Sequence, residues 1–284
     1  MNAAQQAAAS AINMNPLMNV LTFPSFNGVA AGSDTTLDIP AGPLYKRIII
    51  EYSGVTLAQL KNIQVKQNGT AFQTYRDGAE LDKLNQYFRH DAAAGYLVID
   101  FEDFDAFTLG GLDAYAWQTN PAASNFSTGQ IQISIDAAAA APKLKAYYVA
   151  PQVNDLKPRR VRTVRTFDYN APAIGDFEIS DLPKGGRYDQ IGRVFFHNAN
   201  IGNLKLRINN TDQFDISEAL NDYIQEGVKR VPDASTFVFD PSAVSGRRTG
   251  AIVSTLGASD LRFILNMSAT GSVPISVEYR EVLA

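Results

Sequence analysis

The chain has 284 residues, 25 basic and 29 acidic side chains, two histidines and no cysteine. A net charge of −4 excludes a global basic field for nucleic acid, and the lack of cysteine excludes disulfides, thiolate metal sites and cysteine nucleophiles. A hydrophobic content of 45% is enough for two ordinary cores, yet no stretch approaches the roughly 18 consecutive apolar residues of a membrane span.

Residues 1–35 read as an N-terminal arm. Its first twenty residues are Ala-rich and helical in character, interrupted by Pro16, uncharged, and without the positive segment of a secretory signal. Residues 36–150 read as a first β domain with strands at 46–52, 61–67, 96–101, 130–135 and 144–149. One short helix interrupts it: Asp77 and Glu80 have capping-box spacing, and Leu81, Leu84 and Phe88 follow at helical spacing. Residues 151–160, with proline, asparagine and charge, read as a linker. Residues 161–284 form a second β domain with strands at 161–167, 191–197, 203–208, 235–239, 261–266 and 274–280. Its helix is expected to start at Asp215 with Glu218, burying Ile216, Leu220, Tyr223 and Ile224. The apolar runs Ile48–Ile50 and Val194–Phe196 predict strands covered on both faces, by a second sheet or by a neighbouring subunit.

The second domain repeats the first about 140 residues later. KRIIIEYSG answers to GRVFFHNAN, LKNIQVKQNGT to GNLKLRINNT, YLVIDF to TFVFD, and each copy has its helix at the same place. A unit of this length is a whole domain rather than a solenoid repeat. Many short strands, turn signals every 8–12 residues and one helix per copy indicate an all-β sandwich or jelly roll.

No residue is assigned a catalytic, cofactor-binding or metal-ligating role. His90 lies in a turn and His197 at a strand end, one in each domain. The acidic run Asp100, Glu102, Asp103 and Asp105 could offer oxygens to calcium, but lacks the glycine and glutamate positions of an EF-hand loop. The basic segment KPRRVRTVR (157–165) alternates like a strand and lacks interleaved aromatics, so it suits a domain-linking or subunit-contacting strand better than nucleic acid. The glycine pairs Gly110–Gly111 and Gly185–Gly186 lack the strand–loop–helix setting of phosphate-binding loops. Trp117, with Phe107 and Tyr115, sits in a long loop, where it either packs locally or meets a neighbouring subunit.

Four blocks, YSGVTLAQLKNIQVKQNGT (52–70), IDAAAAAPKL (135–144), ISDLPKGGRY (179–188) and SVEYREV (276–282), resemble the major capsid protein family of corticoviruses, tailless double-stranded DNA phages with an internal membrane. The resemblance implies two tandem eight-stranded jelly rolls, a double jelly roll, each with a short helix. It implies a non-enzymatic structural protein of the virion capsid, assembled in the host bacterial cytoplasm. Its partners would be two further copies in a homotrimer, neighbouring trimers, minor capsid and vertex proteins, and the internal membrane through the arm. No specific nucleic acid is implied. It also implies structural calcium, for which no ligand can be matched to this sequence. The alternative reading is a carbohydrate- or host-binding β-sandwich.

Overall fold

The computed structural model describes residues 18–88, 94–102, 115–151, 160–246 and 251–282. The first half contains β1 (Met18–Thr22), β2 (Asp34–Ile39), β3 (Leu44–Tyr45), β4 (Arg47–Ser53), β5 (Leu60–Gln67), β6 (Thr70–Asp77), α1 (Gly78–Tyr87), β7 (Tyr96–Asp100), β8 (Trp117–Gln118), β9 (Gly129–Ile135) and β10 (Lys143–Pro151). The second contains β11 (Val161–Ala171), β12 (Gly175–Ile179), β13 (Gln190–Phe196), β14 (Ile201–Ile208), β15 (Thr211–Ser217), α2 (Glu218–Gly227), β16 (Phe237–Phe239), α3 (Pro241–Val244), β17 (Val253–Ser254), β18 (Leu261–Met267) and β19 (Gly271–Glu281).

The pairing order makes the duplication explicit. The first half forms the layers β1-β10-β4-β7 and β2-β9-β5-β6; the second forms β11-β19-β13-β16 and β12-β18-β14-β15. Each half is thus an eight-stranded jelly roll of two antiparallel layers, with β3, β8 and β17 as additions. Alternation creates the layers: β9 buries Ile131, Ile133 and Ile135 and turns Gln130, Gln132 and Ser134 outward, and β18 does the same with Leu261, Phe263 and Leu265. Trp117 is fully buried in the first core against Phe72 and Phe101, with its Nε1 donating to Gln67 Oε1 at 2.7 Å, so it packs internally. Phe107 lies outside the described residues.

The arm expected at residues 1–35 overlaps paired strands. β1 runs antiparallel to β10, and β2, starting at Asp34, pairs with β9. Placing residues 18–22 in an arm outside the β domains missed a five-residue strand whose hydrogen-bond partners lie far along the chain. Most of the 151–160 linker lies outside the described residues.

Both rolls use the same clasp. Asn68 and Asn209 sit at positive φ in the β5–β6 and β14–β15 hairpins, a conformation asparagine tolerates better than most residues. Asn68 Oδ1 accepts from Ser127 N (2.8 Å) and Ser127 Oγ (2.9 Å); Asn209 Oδ1 accepts from Ser259 N (2.9 Å) and Ser259 Oγ (3.0 Å). Each hairpin tip therefore anchors the loop entering the next strand of its sheet. Asn209→Ala forfeits these bonds and places alanine at φ 48°. The expected cost is about 1–3 kcal/mol, read as a lower urea midpoint with an unchanged slope.

Candidate functional site

The two rolls meet along one continuous sheet. β6 of the first roll pairs in parallel with β11 of the second at Gln73 and Val164, giving a nine-stranded sheet across both rolls. Gln73 Nε2 donates to Arg162 O (3.1 Å) and Asp100 O (3.3 Å), and Thr74 Oγ1 donates to Val164 O (3.3 Å). Arg76 spreads its guanidinium over Glu80 Oε1 (2.8 Å), Asp168 Oδ1 (2.8 Å), Phe167 O (2.6 Å) and Ile275 O (3.2 Å), tying both rolls together.

Beneath this seam lies a buried ionic cluster. Arg162, Arg193, Arg230 and Arg280 are buried with Glu278 and Asp240. Glu278 holds Arg162 Nε at 3.0 Å and Arg193 Nη1 at 2.9 Å, and also pairs with Arg280. Asp240 holds Arg193 Nε at 3.1 Å and Arg230 Nε at 3.3 Å, and accepts from Tyr87 of the first roll at 3.0 Å. The Phe88 ring lies 4.8 Å from Arg193 and 4.9 Å from Arg230, capping the cluster with a π face. Burial opposes ionisation of Glu278, but the charges of Arg162, Arg280 and Arg193 overcome it and hold the carboxyl well below the usual carboxylate range. Asp240 behaves likewise: burial opposes its charge, and Arg193 and Arg230 prevail. For Asp100 burial wins over Arg47 and Arg162, and its carboxyl is pushed up to about 7.

α1 positions the cluster. Asp77 caps the helix by accepting from Glu80 N at 2.8 Å, as its sequence spacing predicts, but Glu80 Oε2 accepts from Arg76 N at 2.6 Å. Glu80 Oε1 faces Ser276 Oγ and lies 3.5 Å from His197 Nε2, which is itself 2.8 Å from Ser276 Oγ. Serine, histidine and glutamate are thus brought together from both rolls. A nucleophilic triad needs its carboxylate on the ring nitrogen opposite the hydroxyl. Here both partners face Nε2, and Ser276 is fully buried. The group fastens α1 to β19 and β13. Beside it opens a cleft of about 420 Å³ between α1 and residues 231–238.

The remaining expectations resolve as follows. His90, Asp103, Asp105 and Gly110–Gly111 lie outside the described residues. Asp100 pairs with Arg47 (3.1 Å) and Glu102 with Lys46 (3.4 Å). Among the described residues no three His, Asp or Glu side chains cluster to hold a metal ion. Arg160, Arg162 and Arg165 of the basic segment pair with Asp189, Glu278 and Glu281 of the second roll, and β11 joins the rolls through its pairing with β6.

The helix expected to start at Asp215 starts two residues later, capped at Ser217 without a side-chain hydrogen bond. Asp215 remains in β15, where it accepts from Asn203 Nδ2 (2.9 Å) and pairs with Lys205 (3.2 Å). In this helix Asn221 and Gln225 face inward and donate to Val238 O, while Leu220 and Tyr223 are exposed.

Two jelly rolls fused through one sheet define the double jelly-roll class of viral coat proteins. The chain belongs to the viral coat protein P2 family, whose N-terminal domain matches residues 20–150 and whose C-terminal domain matches residues 161–283. It is 27% identical over 271 residues to the major capsid protein P2 of Pseudoalteromonas phage PM2, covering 95% of this chain and 98% of that protein. The crystal structure of P2 from that phage superposes with a TM-score of 0.86 at 26% identity, covering 94% of this chain and 98% of that chain. The STIV major capsid protein (TM-score 0.67, 11% identity, 94% and 97% covered) and the PBCV-1 capsid (0.66, 9%, 94% and 94%) share the fold.

Two outcomes follow from the cluster. Glu278→Gln leaves Arg162, Arg193 and Arg280 short of a buried counter-charge, with an expected loss of about 3–5 kcal/mol by chemical denaturation at pH 7. Asp100 has the opposite linkage from Glu278. The folded chain holds its proton more tightly than the unfolded chain does, so its contribution falls as pH rises from 3.8 to about 7. Asp100→Asn should therefore gain stability relative to the parent as pH rises from 3.8 to about 7, in a series of urea midpoints.

Proposed function

We propose that this major capsid protein acts as a trimer, three chains closing six jelly rolls into a pseudo-hexagonal capsomer. Capsomers then tile an icosahedral shell over the internal membrane of a double-stranded DNA phage, with minor proteins at the vertices. Assembly takes place in the host bacterial cytoplasm, and the segment ahead of β1 reaches toward the membrane. One observation carries the reading: two rolls of the same strand order stand side by side in one chain, joined by a rigid junction. A chain built as two similar units needs three copies to approximate six-fold symmetry, and obligate interfaces of this kind bury more than about 2,000 Å².

The test is the mass of the purified full chain in solution, followed by electron microscopy of particles. Three times the chain mass and hexagonal capsomers are expected. A stable monomer that never forms trimers or shells overturns the proposal.

A further inference from the structure

The junction inside the chain has a counterpart left open at each end. Asn85 Nδ2 donates to Val98 O at 2.9 Å and Gln225 Nε2 to Val238 O at 2.7 Å, so positions 85 and 225, and 98 and 238, correspond in the two rolls. The same correspondence sets Leu220 at the place of Glu80, and Tyr223 at the place of Lys83. Glu80 and Lys83 are the side chains by which α1 grips the second roll, through Ser276 and His197 and through Ser235 and Asp233. Their counterparts on α2 stand exposed: Leu220 is 51% exposed and Tyr223 73%.

The receiving surface is also present twice. In the second roll Ser276, Phe195 and Val238 stand opposite one another across β19, β13 and β16, and all three are buried at the junction. In the first roll the corresponding row is Tyr147, Ile49 and Val98, across β10, β4 and β7. This row is only half-buried; Tyr96 at its margin and Val20 on β1 are exposed. Ile49 is the middle residue of the apolar run that predicted a strand covered on both faces, and its outward face is only half-buried among the described residues. The exchange is matched on the two sides. Where α1 presents a carboxylate to a serine and a histidine, α2 presents leucine and tyrosine. Where the second roll presents Ser276, the first presents the Tyr147 ring, whose hydroxyl is already engaged by Glu51 at 2.8 Å.

We propose that the exposed face of α2, through Leu220 and Tyr223, docks on the Tyr147–Ile49–Val98 row of the first roll in a second copy of this chain. The contact repeats the internal junction with apolar side chains in place of ionic ones. It is heterologous, each copy offering α2 at one end and the β10–β4–β7 face at the other, which is the arrangement that generates closed rings. The assignment rests on the trimeric reading above for the number of copies.

The absence of cysteine allows a direct test. The full chain carrying Leu220→Cys together with Tyr147→Cys is treated with a short bismaleimide cross-linker, alongside each single variant. Covalent trimers are expected on a denaturing gel from the double variant only. In parallel, Leu220→Asp with Tyr223→Asp should convert the trimer to monomer by light scattering, with an unchanged circular dichroism spectrum because both side chains are exposed in the single chain. If the parent is a trimer and either the cross-link fails or the aspartate variant stays trimeric, the assignment falls while the capsomer reading stands. If the parent is itself a monomer, both fall.

Discussion

Four guanidiniums share two carboxylates in the space between the rolls, and the rest of the structure is arranged so that this cluster stays closed. Each charge lost its water on burial and is compensated by partners drawn mostly from different elements: Glu278 on β19, Asp240 before α3, and the arginines on β11, on β13, on β19 and after α2. The first roll completes the enclosure with Tyr87 and Phe88 from the end of α1. A docking shifted by one residue would leave a buried charge without its partner, at a cost well above what a slipped apolar contact loses. The ionic cluster therefore specifies the register between the rolls, while the two apolar cores supply the bulk of the burial.

Much of this architecture is written locally. Alternation along β9 and β18, the Asn-Gly and Asn-Asn hairpins, and the cap at Asp77 depend on neighbours a few residues away, and they are legible without coordinates. The ionic cluster is not. Arg193, Glu278 and Arg280 stand in otherwise apolar strands, and only the pairing of β13 and β11 with β19 shows that they face one another. Charged residues within the largely apolar β13 and β19 were the available signal, but they have meaning only with register. The second helix shows a different limit. Asp215 and Glu218 have the spacing of a capping box, yet Asp215 is held in β15 by Asn203 and Lys205. Apolar residues at helical spacing put Leu220 and Tyr223 on the expected core face, yet the helix turns Asn221 and Gln225 inward to Val238 O and leaves both apolar side chains exposed.

The duplicated rolls have kept their backbone and changed their outer faces. The asparagine clasps and the helix-to-carbonyl anchors are preserved in kind, because they hold each roll together on its own. The faces beyond them differ: acid and base on α1, leucine and tyrosine on α2. Inside a single chain the junction forms once, during folding, and tolerates buried charge that has no other place to go. Between chains, partners meet after folding and must first exist apart in water. Solvating a half-cluster of arginines and then stripping it again would penalise association, whereas a leucine and a tyrosine ring give up little on being covered.

The nine-stranded sheet has a mechanical consequence. A hinge between two domains needs a segment where few hydrogen bonds cross; here the β6–β11 pairing and the forked Arg76 span the seam. Tilting one roll against the other would strain the Gln73–Val164 pairing and open the charged interior. Each chain is in effect a stiff bracket of fixed angle. In a curved surface built from such brackets, the bending has to be absorbed where separate chains touch, so elastic compliance, and the first failure under internal pressure, belongs to those contacts rather than to the seam within the chain.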